Sequence, residues 1–169
     1  MPVADEQAMF ERLVLEGMQA GLSWLTILKK RAHMSERFHG FQSERLAQTG
    51  TDEIEQWLED PGVIRHRGKI EAMVNNARLV VDMDGEFVPL LWSFVDGRPI
   101  QNSFENSQAV PAETVESRQM AKALKKLGFR FVGPTICYAL MQSAGLVNDH
   151  LTSCSSFGRC GTIAASWTL

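Results

Sequence analysis

Apolar residues recur at helical spacing through most of this chain, while runs with the alternation of a half-buried strand are scarce. Phe10, Leu13, Val14, Gly17, Met18 and Gly21 fall on one stripe, with Glu11 and Arg12 opposite. The period returns in Ile54, Trp57 and Leu58, after the cap signature Thr51-Asp52-Glu53. It returns again in Ile70, Met73, Val74, Ala77, Val80 and Val81, among Met120, Ala121, Ala123 and Leu124, and from Ile136 to Ala144. Stripes of this kind are buried helix against helix, so the expected fold is all-α. A length of 169 residues, 44% of them apolar and 22% charged, suits one globular domain over residues 1–169.

Punctuation divides the helices. Gly21 ends the first, and Ser23 caps a second that runs from Trp24 to about Arg37 and carries Lys29-Lys30-Arg31. Pro61-Gly62 stops the third, and Asp82-Met83-Asp84-Gly85 the fourth. Phe87 to Val95 fits a short helix or a strand equally well. Residues 96–113, with Gly97, Pro99, Asn102, Ser103, Asn106, Ser107 and Pro111, read as a linker or excursion. From Ser153 onward the chain is rich in Ser, Gly and Thr and is expected to be poorly ordered. Apolar stretches break well before the roughly 18–20 residues of a membrane span, so no membrane segment is expected. Three unevenly spaced cysteines, Cys137, Cys154 and Cys160, suit a reducing, cytoplasmic compartment.

Charge is unevenly placed. Lys and Arg number 17 against 20 acids, and the net charge of −3 excludes polyanion binding through bulk basicity. Between Ser117 and Asn148, however, the only ionised side chains are Arg118, Lys122, Lys125, Lys126 and Arg130. Within that basic segment, Gly128-Phe-Arg-Phe-Val-Gly133 joins two helical patterns, and Pro134 suits the first turn of the second. The free N–H groups of that turn, which includes Thr135, and the helix dipole suit a phosphodiester. This is the layout of a helix-hairpin-helix element, which grips DNA backbone without reading sequence. An ordinary αα turn beside a solvated basic face has the same spacing, and spacing alone leaves both readings open. The same holds for Arg65-His66-Arg67-Gly68-Lys69: phosphate contacts or a solvated turn.

Two further groups could carry chemistry. Glu16 lies in the otherwise apolar stretch Leu13-Val14-Leu15-Glu16-Gly17, with backbone room at Gly17 and Gly21. A carboxylate in a pocket can accept from the exocyclic amine of a purine, and an aromatic such as Trp24 can stack on the ring, more strongly if the ring is cationic. The alternative is a surface acid and a core tryptophan. His150 and Cys154, at i, i+4 spacing, are half of a tetrahedral zinc site. Cys160 is a candidate third ligand and His33, His39 or His66 a fourth; a free cysteine beside a capping histidine is the alternative.

Taken together, these segments resemble the 3-methyladenine DNA glycosylase I family. The similarity rests on Leu15-Glu16-Gly17-Met18-Gln19-Ala20-Gly21-Leu22-Ser23-Trp24, on Arg65-His66-Arg67-Gly68-Lys69-Ile70 and on Leu91-Trp92-Ser93-Phe94-Val95. It continues through Ala123-Leu124-Lys125-Lys126-Leu127-Gly128-Phe129-Arg130-Phe131-Val132-Gly133 and Gly145-Leu146-Val147-Asn148-Asp149-His150. The resemblance implies a helix-hairpin-helix glycosylase with two helical lobes flanking a base-binding pocket. It implies removal of 3-methyladenine from alkylated double-stranded DNA by a monofunctional hydrolase, acting as a monomer. Glu16 would be the carboxylate that contacts the base, and Trp24 its stacking partner. Lys125, Lys126, Gly128, Arg130, Gly133 and Thr135 would form the DNA-gripping hairpin. His150 and Cys154 would be half of a structural zinc clip. The family's usual N-terminal Cys, its tyrosines and its His-Asp-x-Glu-Trp-Gly segment have no counterpart, which leaves two zinc ligands and several pocket aromatics unmatched. The alternative function is a non-catalytic DNA-binding module that keeps the hairpin without a complete active site; a nucleobase-binding protein using the pocket alone is a third.

Overall fold

A computed structural model describes residues 1–169. Nine α-helices carry the fold. α1 (Glu6–Gln19) starts where the Asp5 carboxylate accepts from the Ala8 N–H at 2.7 Å. α2 (Trp24–Arg37) starts where Ser23 Oγ accepts from Thr26 N–H at 3.2 Å, as its cap position predicts. Then follow α3 (Ser43–Ala47), α4 (Thr51–Glu59), with Asp52 and Glu53 in its first turn, and α5 (Arg67–Asp82). α6 is Phe87–Ser93. α7 (Val115–Lys126) opens on a reciprocal Thr114–Ser117 capping box, and α8 (Pro134–Ser143) on the expected proline.

The all-α expectation holds, with one small addition. β1 (Ile100–Gln101) and β2 (Val147–Asn148) pair in parallel, Ile100 opposite Val147 and Gln101 opposite Asn148. The pairing fastens the 96–113 excursion to the chain that leaves α8. The undecided segment Phe87–Val95 is helical because Phe87, Val88, Leu91 and Trp92 are buried at i, i+1, i+4 and i+5.

The tail departs from expectation. Ser156–Ala165 forms helix α9, where the composition from Ser153 onward pointed to poor order. Its anchors are distant in sequence: Asn148 Nδ2 donates to the Phe157 carbonyl at 3.2 Å, and Trp167 lies 5.5 Å from Trp92 between ring centroids. Small and polar residues hid the contribution of Trp167, which packs against the apolar core.

α1 runs through the middle, burying Met9, Phe10, Leu13, Val14, Leu15 and Met18 against α8, α2 and α5. One continuous apolar core joins α1 to Phe38 and Trp57 on one side, and to Phe87, Trp92, Leu124 and Tyr138 on the other. Trp92 Nε1 satisfies its donor on the Val3 carbonyl at 2.8 Å.

Candidate functional site

Glu16 sits on the one polar break in the buried stretch of α1 and is only 7% exposed. It lines a cleft with Gln19, Trp24, Ala139, Gln142 and Ser143, between the α1–α2 turn and α8. Trp24, at the first position of α2, is 40% exposed rather than packed into the core. The fold therefore brings Glu16 and Trp24 to one open cleft. Burial raises the Glu16 carboxyl above its ordinary value, and the neighbouring Ser143 hydroxyl acts in the opposite direction.

The turn between the two residues is held from α5. Lys69 is 7% exposed, and its ammonium donates to the Met18 carbonyl at 2.8 Å and the Ala20 carbonyl at 2.6 Å. These are end-of-helix carbonyls of α1, where a cation is favoured by the dipole. Burial lowers the Lys69 pKa. The Arg65–Lys69 segment accordingly disperses rather than forming one phosphate-binding cluster. Lys69 turns inward, and Arg67 pairs with Glu55 at 2.6 Å. His66 Nδ1 accepts from the Lys69 N–H at 3.3 Å as the cap of α5, leaving Arg65 exposed.

The predicted hairpin lies between α7 and α8. Gly128 takes φ +96°, a left-handed conformation that reverses the chain after α7, and Phe129 N–H returns to the Leu124 carbonyl at 3.0 Å. The amides of Phe131, Val132 and Gly133 make no hydrogen bond within the chain. Lys125 and Lys126 are exposed in the last turn of α7, Arg130 is exposed on the hairpin, and none of the three is ion-paired. Thr135 is exposed in the first turn of α8. From beneath, the Cys137 thiol reaches the Val132 carbonyl at 3.6 Å, and burial pushes that thiol up to about 12, keeping its proton in place. Phe131 rests on α1: a Cβ added to Gly17, next to Glu16, would lie 3.5 Å from Phe131 Cβ. Hairpin and cleft thus meet across a single residue.

Several site residues carry no motif. Asn75 and Asn76 of α5 hold the hairpin backbone, with Asn75 Nδ2 donating to the Gly128 carbonyl at 3.0 Å. Their signal was a polar residue within the apolar stripe Met73-Val74-Asn75-Asn76-Ala77, and Lys69, one turn before Met73, gave the same sign. Asp149 accepts from Tyr138 Oη at 2.5 Å, Gln142 Nε2 at 2.8 Å and Asn102 Nδ2 at 2.7 Å. Gln142 links that network to the Glu16 cleft, which it also lines.

Of the four ligands a structural zinc takes, the fold brings together the expected pair. His150 Nδ1 and Cys154 Sγ approach to 3.7 Å, which brings the expected half-site together. Cys160 lines the same cleft as His150, yet no group of three His, Cys, Asp or Glu side chains able to hold a metal ion forms. The other candidates are engaged elsewhere: His33 with Asp60 at 2.8 Å, His39 with Glu53 at 2.9 Å, and His66 as the α5 cap.

Known proteins are similar to this chain in sequence and in fold. A family described as Methyladenine glycosylase matches residues 1–157. The DNA-3-methyladenine glycosylase of Haemophilus influenzae is 47% identical over 156 residues, covering 90% of this chain and 84% of that protein. DNA-3-methyladenine glycosylase 1 of Escherichia coli is 45% identical over 160 residues, covering 93% and 86%. Among solved structures, a 3-methyladenine DNA glycosylase I superposes with a TM-score of 0.89 at 47% identity, covering 92% of this chain and 87% of that one. A single-residue variant of 3-methyladenine DNA glycosylase I, in complex with 3-methyladenine, superposes with a TM-score of 0.89 at 37% identity, covering 92% and 86%. The family match spans both the helix that carries Glu16 and the hairpin that carries Arg130, and the chain belongs to the methyladenine glycosylase family.

Proposed function

We propose that this protein hydrolyses the N-glycosidic bond of 3-methyladenine in alkylated double-stranded DNA. The observation that carries the reading is the near-buried Glu16 carboxylate sharing an open cleft with the half-exposed Trp24 indole. The names of its relatives, 3-methyladenine DNA glycosylases, support the same substrate.

The chemistry follows from the charge on the base. N3-methylation makes adenine cationic, so a carboxylate in a partly desolvated cleft attracts it more strongly than in bulk water. The cation in turn stabilises the ionised form of Glu16 against the burial that raises its pKa. Glu16 accepts from the exocyclic amine while Trp24 stacks on the ring, with a cation–π contribution. The nucleotide must leave the helix stack to reach the cleft. Lys125, Lys126 and Arg130, with the backbone amides of Gly133 and Thr135, hold the phosphates meanwhile, and Gly128 reverses the chain that presents them. The bond between the base nitrogen and C1′ breaks with its electron pair going to the base, which departs neutral. The resulting oxocarbenium-like sugar takes water at C1′, and the water gives up one proton to solvent. No protein nucleophile is needed, and Lys69, the lysine nearest the cleft turn, is engaged with α1 carbonyls.

Three free cysteines support a reducing, cytoplasmic setting, and no helix is long and apolar enough to cross a membrane. The catalytic unit is read as a monomer, since the cleft and hairpin come from one chain.

The test is release of 3-methyladenine from methylated duplex DNA by the purified protein, compared with Glu16→Gln. We expect release by the native protein and a loss of about 100-fold or more in the variant, the scale of removing one electrostatic contact in an active site. Equal release by the two removes Glu16 from the mechanism. Salt-dependent duplex binding without release by the native protein points to the non-catalytic DNA-binding module instead.

A further inference from the structure

Asn76 is a polar side chain set in the buried stripe of α5 and only 5% exposed. Its amide is used twice on one residue of the hairpin. Nδ2 donates to the Arg130 carbonyl at 2.9 Å, and Oδ1 accepts from the Arg130 N–H at 2.9 Å. The amide orientation is forced, because the Arg130 N–H can only donate and its carbonyl only accept. A neighbouring strand offers a residue this same pair of bonds; here one side chain supplies both. Both polar backbone atoms of Arg130 are therefore tied to α5, while its guanidinium stays exposed and unpaired.

The hairpin needs such a hold. The next residue, Phe131, takes φ +54°, a region that a bulky side chain adopts only when its surroundings impose it. Phe131, Val132 and Gly133 have no internal hydrogen bond at their amides, so the loop does not fix itself. Asn76 fixes the residue before the strained position, Gly17 and His66 receive the Phe131 ring and backbone, and the free amides follow.

We propose that Asn76 is a positioning residue for DNA engagement. Its two-point hold on the Arg130 backbone aims the Arg130 guanidinium and the adjacent free amides at phosphates of the duplex that carries the damaged base. The inference rests on the DNA-glycosylase reading above and assigns Asn76 no contact with DNA or base.

The test compares wild type, Asn76→Ala, the volume-keeping Asn76→Leu, Arg130→Ala, and the double variant Asn76→Leu/Arg130→Ala. Duplex affinity is measured across a salt series, and 3-methyladenine release is resolved into kcat and KM. Thermal unfolding shows which variants are folded at the assay temperature, and binding read in the cold keeps the comparison valid for any that melt early. Asn76→Leu is expected to weaken duplex binding about tenfold, the scale of losing two hydrogen bonds that fix one contact. It lowers the steepness of the salt dependence by about one unit, the mark of one lost phosphate contact. KM rises while kcat stays within about threefold, because Asn76 does not line the base cleft. In the Arg130→Ala background the same substitution adds less than about twofold, since the two residues act as one unit. Full additivity with Arg130→Ala, an unchanged salt slope, or a fall in kcat at constant KM each overturns the role of Asn76. Wild-type protein that neither binds duplex nor releases the base overturns the functional reading itself.

Discussion

Glu16 lies almost wholly out of water on α1, and desolvation raises its carboxyl pKa. A raised carboxyl pKa means that the folded state binds more protons than the unfolded one in the window just above the ordinary value of 4.5. Stability then falls as pH rises through that window, and at neutral pH the ionised Glu16 is a net cost to the fold. Glu16→Gln keeps the shape and removes the charge. The variant should melt at a higher temperature than wild type at pH 7, and the gap should close as the pH is lowered toward 4.5. Thermal unfolding at the two pH values measures this; a gap that does not change with pH sinks the desolvation argument. Activity and stability are thus expected to move in opposite directions at this residue. Glu16 was legible in the sequence because an acid inside an apolar helical run has few reasons to be there. Lys69 and Asn76 gave the same kind of sign, but their partners, the carbonyls of Met18 and Ala20 and the backbone of Arg130, lie 49 to 54 residues away in the chain.

At the scale of elements, local chemistry set most boundaries. Ser23, Thr114 and Pro134 stand where their cap and first-turn preferences put them, and α2, α7 and α8 begin there. The hairpin depends on Gly128, whose φ of +96° an L side chain rarely adopts. Gly128→Ala should cost about 1–2 kcal/mol in unfolding free energy, the penalty for a left-handed non-glycine residue. It should weaken duplex binding as well, because the chain reversal carries Arg130; binding equal to wild type would separate the turn from DNA recognition. Elements without strong local signals were settled by packing. α6 is a helix because its four large apolar residues share a buried face. α9 exists because β2 and Trp92 receive it.

For the whole molecule, the distribution of charge matters more than its sum. A chain of net charge −3 carries an acid-free run from Ser117 to Asn148, and the fold leaves Lys125, Lys126 and Arg130 exposed and unpaired around one turn. Three such contacts give a dependence of log affinity on log salt of about −2.7, at about −0.9 per phosphate. Filter binding or anisotropy on duplex DNA measures the slope, and a value near zero would rule out this face as the DNA contact. Helix content, the Ser23 cap, Pro134 at the start of α8 and the acid-free basic run were determined by the sequence alone, because helical period, cap preference and charge run are local properties that survive without a partner. The tertiary structure decided the rest. It turned Lys69 inward, clamped Arg130 with Asn76, ordered the tail, set Glu16 and Trp24 across one cleft, and brought His150 to 3.7 Å from Cys154. Each of those outcomes depends on atoms that only the packing of distant segments brings together, and burial and partner geometry have no signature within a single helical turn.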